Sequence, residues 1–189
     1  MTYSAPKGRG TRDRLVAGAQ LVVYQQGVER TTIADVAQAA DVPPGNVCYH
    51  FKTKDELVKA TIDARAGEVA AMLASVSGHR TPRARLKALV RMFGDQRELT
   101  AQRGCPLGSL CQELDKSDGE LQQASRQLIE IPIAWAQEQF RLMGRRDAKD
   151  LGVALIASYQ GASLLANTFR DPDLMLREAR RLERWIDSL

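Results

Sequence analysis

The chain has 189 residues, of which 44% are hydrophobic and 26% charged, so it can bury a sizeable core and is not composed like a disordered segment. Its formal net charge of +4 is mildly basic, which is compatible with an acidic partner but not diagnostic of one. The three cysteines, Cys48, Cys105 and Cys111, have neither zinc-ribbon spacing nor the even count of a disulfide framework.

The first residues are polar and basic and show no apolar region of a secretory signal. The longest apolar stretch, residues 151–169, is interrupted by polar side chains that a bilayer would penalise. Those polar residues are Ser158, Tyr159, Gln160, Ser163, Asn167 and Thr168. We therefore expect a buried helix there, no membrane partner and a reducing, cytoplasmic location.

The first predicted helix covers residues 11–26, with Thr11 as its N-cap and Gly27 as its C-cap. The second helix begins at Thr32, which has the capping-box spacing with Asp35. A short turn at residues 40–42 follows.

Pro43 and Pro44 then open a third helix that ends near Phe51, since proline is tolerated in a first turn. A fourth helix begins at Thr53, which forms a second capping-box pattern with Glu56. Apolar residues Val36, Val42, Val47 and Phe51 are expected to form the core of this small region.

The remaining pattern is also helical, after a Ser/Gly/Pro-containing loop at residues 75–82. The later helices are predicted at residues 82–102, 106–114, 119–143, 148–169 and 172–187. The fold class is therefore all-α. We divide the chain into an N-terminal arm with three short helices, residues 1–55, and a larger C-terminal domain, residues 56–189.

Three short helices with a tight turn between the second and third form a helix-turn-helix pattern. A helix fits the major groove of DNA, and N–H groups at a helix start can bind phosphate. Thr32 and Lys54 lie at two such starts. A basic arm precedes the first helix and contains Lys7, Arg9, Arg12 and Arg14; it is expected either to follow a phosphate backbone or to be a solvated terminus.

Residues 31–37 (TTIADVA) and 42–57 (VPPGNVCYHFKTKDEL) resemble the DNA-binding signature of the TetR family of transcriptional regulators. The resemblance implies that Thr32 and Lys54 bind the DNA backbone. It places Pro44, Gly45 and Asn46 at the groove-facing end of the recognition helix, and it implies that Tyr49 and His50 contact phosphates or base edges. An Asn46 amide can pair bidentately with adenine.

Two positions depart from the family pattern. Asp41 stands where glycine is usual in the turn, although aspartate tolerates left-handed geometry. Cys48 stands where tyrosine is usual, which removes a phenol that often contacts phosphate. These departures bear on the contact residues and not on the fold.

The C-terminal half contains the segment 104–114 (GCPLGSLCQEL), which is similar to a Gly-Cys-Pro-Leu-Gly stretch in a subset of TetR-like regulators that includes drug-responsive and electrophile-responsive members. Pro106 is expected to be the first residue of a helix, which makes Cys105 its N-cap. The helix dipole and Arg103 would favour a reactive thiolate there. The alternative is that Cys105 is a small buried residue beside a tight turn.

A small-molecule pocket is expected among aromatic and methionine side chains of the middle helices, with a few polar groups. The candidate ligand-binding residues are Phe93, Cys105, Trp135, Tyr159 and Gln160, with Met92, Phe140, Met143 and Asn167 as further lining. Helices 148–169 and 172–187 resemble the pair that forms the four-helix dimer interface in this family. Their small residues Gly152, Ala154, Ala157, Gly161, Ala162 and Ala166 would allow close packing.

The resemblance implies a ligand-responsive regulator, a repressor by family default, that binds a palindromic operator in double-stranded DNA as a homodimer and is released by a small-molecule inducer of unknown identity. Thiol-based sensing of electrophiles or oxidants through Cys105 is the alternative mechanism. We expect no enzyme activity, cofactor or metal, because the two histidines have no metal-ligand spacing and no phosphate-binding loop or nucleophile elbow is present. A protein-binding helical scaffold is the remaining rival class.

Overall fold

The computed structural model describes residues 10–115 and 119–189, and these ranges contain ten α-helices and no β-strand. In chain order the helices are α1 (Thr11–Arg30), α2 (Ile33–Ala39), α3 (Pro44–His50), α4 (Lys54–Ser77), α5 (Pro82–Asp95), α6 (Arg97–Arg103), α7 (Pro106–Leu114), α8 (Glu120–Leu142), α9 (Ala148–Phe169) and α10 (Asp173–Ser188). The all-α prediction is confirmed. Over the same ranges, none of the helices is long and apolar enough to cross a membrane.

The chain forms two compact units that interleave along the sequence. The first comprises the described residues of Met1–Ala66 and Leu110–Arg126, and the second comprises Gly67–Ser109 and Gln127–Leu189. The predicted division into residues 1–55 and 56–189 separates the part expected to bind DNA from the part expected to bind a ligand. It does not concern which residues form a compact unit, and it stays a prediction.

In the first unit, α1, α2 and α3 pack around an apolar cluster at whose centre Leu15, Val36 and Val47 are fully buried. The cluster also contains Val42 and Phe51, so the predicted core residues of this region are confirmed. Gly18 permits the close approach of α1 to α2, because a Cβ atom there would lie 3.0 Å from the Ala40 nitrogen and 3.1 Å from the Val36 oxygen.

The second unit has two apolar clusters. One contains Phe93, Cys105 and Tyr159 together with residues of α4 and α10. The other contains Phe140, Leu155 and Ile186. Burial of these side chains along several helices is the main favourable contribution to the stability of the unit.

Several predicted element bounds were wrong. Thr11 is the first residue of α1 and Gly10 is its N-cap. Helix α1 continues to Arg30 through a break at Gly27, whose φ is 85°. The predicted helix at residues 82–102 is divided into α5 and α6 at Gln96, and α4 extends to Ser77, into the predicted loop.

We predict that Gly18→Leu destabilises the first unit by about 1–3 kcal/mol, because the added side chain must displace the backbone of α2. Urea unfolding followed by circular dichroism measures this change. The matched control is Gly67→Leu in α4, where a Cβ atom would have no neighbour within 4 Å. Equal midpoints for the Gly18 variant and the wild type would contradict the prediction.

Candidate nucleic-acid interface

The capping box at the start of α2 forms as predicted. The Thr32 hydroxyl accepts a hydrogen bond from the Asp35 N–H at 3.1 Å, and the Asp35 carboxylate accepts one from the Thr32 N–H at 3.0 Å. Hydrogen bonds that the Asp35 carboxylate accepts from Thr32, the one from the backbone N–H first, lower the pKa of Asp35, and the Gln26 amide donates a further one to the carboxylate at 3.0 Å. Thr32 is exposed at the N-terminal end of α2, and the capping box fixes where that helix begins.

The turn between α2 and α3 accepts aspartate in place of the usual glycine. Asp41 has a φ of 52°, in the left-handed region that aspartate tolerates better than most residues. Its carbonyl oxygen accepts a hydrogen bond from the Arg14 guanidinium at 3.3 Å, and the Val42 N–H donates to Ala37 O at 3.0 Å. The turn geometry is thus retained, as expected.

Helix α3 separates buried from exposed residues cleanly. Val47 is fully buried, while Pro44, Gly45, Asn46 and Tyr49 are exposed. The Tyr49 side chain is 79% exposed, which is unusual for a large aromatic residue. A Cβ atom on Gly45 would have no neighbour within 4 Å, so packing within the protein does not require glycine at that position.

His50 and Lys54 lie at the end of α3 and the start of α4. The His50 and Tyr49 rings meet edge to face, with their centroids 5.1 Å apart. The Lys54 ammonium donates a hydrogen bond to Glu29 O at 3.0 Å, and Lys54 is half-buried. The seven residues that the sequence predicted as DNA contacts therefore all belong to the first unit.

The second predicted capping box forms only in half. Thr53 Oγ1 accepts from the Glu56 N–H at 3.1 Å, but the Glu56 carboxylate accepts from the Lys52 N–H at 2.7 Å instead of the Thr53 N–H. Of the basic arm, Lys7 and Arg9 lie outside the described residues. The Arg12 guanidinium lies over the Phe51 ring, 5.0 Å from its centroid.

In the second unit, the predicted ligand-binding residues lie in or beside one apolar cluster. The rings of Phe93 and Tyr159 stack with a centroid distance of 3.9 Å. Trp135 packs against the cluster, and its indole N–H donates to Ser77 Oγ at 3.0 Å. Ser77 had no sequence signal as a partner of the half-buried Trp135, because it lay in a predicted loop.

Cys105 is the N-cap of α7, as expected, and is only 4% exposed. Its sulfur accepts hydrogen bonds from the Gly108 N–H at 3.4 Å and from the Gln160 amide at 3.5 Å. Gly108 allows this approach, because a Cβ atom there would collide with the side-chain oxygen of Gln160. Cys105 and Gln160, which are 55 residues apart in sequence, are thus in contact.

Three further predicted lining residues have other environments. Phe140 and Met143 belong to the second apolar cluster, away from the Phe93 and Tyr159 stack. The Asn167 amide donates to Ala101 O at 3.1 Å at the end of α6, and the Arg170 guanidinium donates to the same oxygen at 3.2 Å and to Gln102 O. Asn167 therefore caps a helix of this unit.

One face of α9 is apolar and exposed. It is formed by Val153, Ala154, Ala157, Gly161, Leu164, Leu165 and Phe169. Gly152 does not belong to this face, since it packs against Gln137 of α8, and Ala162 and Ala166 are buried within the unit. Three of the six small residues expected at a helix–helix interface between subunits are therefore used inside the chain.

Two family models match the chain. "Bacterial regulatory proteins, tetR family" matches residues 15–61, which include the helix-turn-helix, and "Tetracyclin repressor-like, C-terminal domain" matches residues 82–182. The fold and the exposed α3 define a helix-turn-helix protein that binds DNA and regulates transcription. The chain belongs to the TetR family.

Relatives support this assignment over different lengths of the chain. A helix-turn-helix transcriptional regulator from the lacX 3' region of Lactococcus lactis subsp. lactis is 25% identical over 173 residues, which cover 88% of each protein. The regulator TtgR of Pseudomonas putida is 43% identical over 54 residues, 29% of this chain and 26% of TtgR. These relatives are transcriptional regulators, a class distinct from enzymes.

A crystal structure of a TetR transcriptional regulator from Chloroflexus aurantiacus superposes with a TM-score of 0.83 at 25% identity and covers 94% of each chain. Regulators of this family bind DNA operators, typically as dimers whose activity responds to small molecules, and most are repressors. The described residues contain no group of three or more histidine, cysteine or acidic side chains that would hold a metal ion.

Proposed function

We propose that this protein is a repressor that binds a palindromic operator as a homodimer and is released from it by a small-molecule inducer. The observation that carries the proposal is the exposed face of α3, where Pro44, Gly45, Asn46 and Tyr49 face solvent around the buried Val47. Exposure of a glycine, an amide and a phenol on one short helix has no packing reason within the first unit.

Each exposed residue has a physical role in this proposal. Gly45 lets the backbone of α3 approach the floor of the major groove, and Asn46 pairs with the edge of an adenine. Tyr49 and His50 contact phosphates or base edges. Thr32 and Lys54 bind the DNA backbone on either side of the groove. They set the register of α3 on the DNA without reading its sequence.

The dimer is supported by the exposed apolar face of α9. Leu164 is 59% exposed and Phe169 67%, and a contiguous apolar face of this kind usually marks an interface. Ala154, Ala157 and Gly161 on the same face allow two α9 helices to approach closely. A two-fold dimer carries two copies of α3, which matches two half-sites in a palindromic operator.

The inducer site is proposed at the cluster of Phe93, Cys105, Trp135, Tyr159 and Gln160. Stacked aromatic rings beside a single amide favour a small, mainly apolar molecule that accepts or donates one hydrogen bond. Such a molecule would release DNA by binding more tightly to the conformation that does not fit the operator.

The DNA-binding proposal is tested by selecting bound fragments from random duplex DNA and sequencing them. We expect an enriched palindrome. Asn46→Ala should weaken binding by about 1–3 kcal/mol and relax the preference at one base pair of each half-site. Lys54→Ala should weaken binding to all sequences alike and reduce the salt dependence by roughly one phosphate contact per subunit.

A folded wild-type dimer that enriches no sequence at low salt would overturn the operator proposal. It would favour the protein-binding scaffold instead. Equal loss of base preference in the Asn46 and Lys54 variants would show that their proposed roles are wrong.

We predict that Leu164→Glu converts the protein to a monomer, because a carboxylate in an apolar interface loses its hydration without a partner. Analytical ultracentrifugation measures the subunit association, and DNA titration should show at least a tenfold loss of affinity, which corresponds to about 1.4 kcal/mol. The control is Leu142→Glu, since Leu142 is 49% exposed on α8. A Leu164→Glu dimer of wild-type stability would place the interface elsewhere.

Thiol sensing is the second candidate mechanism, and the contact of Cys105 with Gln160 favours it, because an adduct on the sulfur would displace the amide. Burial of the sulfur favours reversible induction instead, since a buried thiol is poorly accessible to reagents. We predict that a Cys105→Ser variant still releases DNA in response to a reversible inducer. Its response to an electrophile should be lost if Cys105 is the sensor.

The measurement is release of a fluorescent operator fragment by N-ethylmaleimide, with Cys48→Ser as the matched control at an exposed cysteine. Because N-ethylmaleimide also alkylates the exposed Cys48 on α3, the deciding comparison is made in the Cys48→Ser background, where unchanged release on adding Cys105→Ser would exclude sensing through Cys105.

A further inference from the structure

Helix α1 is broken three residues before its end. Gly27 has φ 85° and ψ 165°, which interrupts the helical hydrogen bonds. In a continuous helix, the N–H groups of Val28 and Glu29 would donate to carbonyl oxygens four residues earlier. The break frees both donors; Val28 is half-buried, so its N–H needs a partner within the protein, whereas Glu29 is exposed.

The carboxylate of Glu113 on α7 supplies that partner. One oxygen accepts from the Val28 N–H at 2.8 Å and the other from the Glu29 N–H at 2.8 Å. The positive φ favours glycine at position 27, and a Cβ atom there would lie 3.0 Å from each of these oxygens, so that the carboxylate would have to shift to admit it. Glu113 is 85 residues from Val28 in sequence, and both lie in the first unit.

The segment that Glu113 holds leads directly to the proposed backbone contacts of the operator. The carbonyl of Glu29 accepts from the Lys54 ammonium at 3.0 Å. The Thr31 hydroxyl donates to Gly27 O at 2.6 Å, and Thr32, the next residue, is the N-cap of α2. Residues 27–32 therefore connect the Glu113 carboxylate to Lys54 and Thr32 through hydrogen bonds and a few backbone bonds.

We propose that Glu113 is a positioning residue for DNA binding: its carboxylate fixes residues 27–32 and so holds Lys54 and Thr32 where the operator backbone needs them. This inference rests on the proposed function, because it takes Lys54 and Thr32 as phosphate contacts. The expected change in DNA affinity is opposite to that for most acidic residues. Removing an acidic group ordinarily strengthens binding to DNA, whereas removing this one weakens it.

The experiment measures the affinity of full-length Glu113→Gln and Glu113→Ala variants for the operator selected with the wild-type protein. Glutamine keeps one carbonyl acceptor and nearly the same shape, so its affinity should lie between those of wild type and alanine. The alanine variant should bind roughly tenfold more weakly, as expected for loss of charge-assisted hydrogen bonds. Glu120→Gln is the charge-matched control at an exposed position, and it should bind as tightly as wild type or more tightly.

A double-mutant cycle separates positioning from a general loss of stability. If Glu113 acts through Lys54, the effect of Glu113→Ala should be much smaller in a Lys54→Ala background and unchanged in an Asn46→Ala background. Equal effects in all backgrounds would overturn the proposal. So would an affinity of Glu113→Gln and Glu113→Ala equal to or above that of the wild type.

Amide hydrogen exchange in the free protein tests the hydrogen bonds of Glu113 to Val28 and Glu29 independently of DNA. Glu113→Gln should speed exchange at Val28 and Glu29 while the amides of α2 and α3 keep their protection. Unchanged exchange at these two amides would overturn the role of Glu113. Failure of the wild-type protein to bind any DNA would instead overturn the proposed function, and the exchange result would still stand.

Discussion

The helix-turn-helix depends on the burial of Val47 and Phe51, which hold in place α3, a recognition helix of only seven residues. A helix this short is not stable in water by itself, because one or two turns cannot offset the cost of nucleation. It persists because Val42, Val47 and Phe51 are anchored in a cluster with Leu15 and Val36. The same anchoring decides which residues remain outside, since the inward-facing Val47 leaves Asn46 and Tyr49 exposed to solvent.

Polar contacts then fix how this small core presents its surface. The capping box of Thr32 and Asp35 sets the start of α2, and the Gln26 amide connects that box to α1. The Glu113 carboxylate and the Lys54 ammonium hold residues 27–32, which connect α1 to α2. Each of these hydrogen bonds contributes modestly to stability, but together they determine the direction of the groups that are proposed to contact phosphates.

The second unit follows a different physical logic. Its two apolar clusters use most of the large side chains, so the residues proposed to meet an inducer also contribute to the core. Stacked Phe93 and Tyr159, and the contact of Cys105 with Gln160, place one polar group beside a mainly apolar cluster. The exposed face of α9 remains after these clusters are filled, which is why it is the proposed subunit interface.

Local sequence determined the features that depend on neighbours a few residues apart. The capping box at Thr32, the left-handed turn at Asp41 and the start of α7 after Cys105 were predictable, because each uses backbone groups within one turn. Even here a competing local donor changed the outcome: Glu56 bonds the N–H of Lys52, one residue earlier than its spacing predicts.

Tertiary structure alone decided which distant residues meet. Gly152 was expected at a subunit interface because it is small, but it packs against Gln137 within the chain. Asn167 caps α6 instead of lining the aromatic cluster. The pairing of Glu113 with Val28 and Glu29 has no sequence signature, because a surface glutamate in one helix looks like any other. Helical periodicity specifies which face of a helix is apolar, but it carries no information about which distant partner completes the hydrogen bonds that a broken helix leaves open.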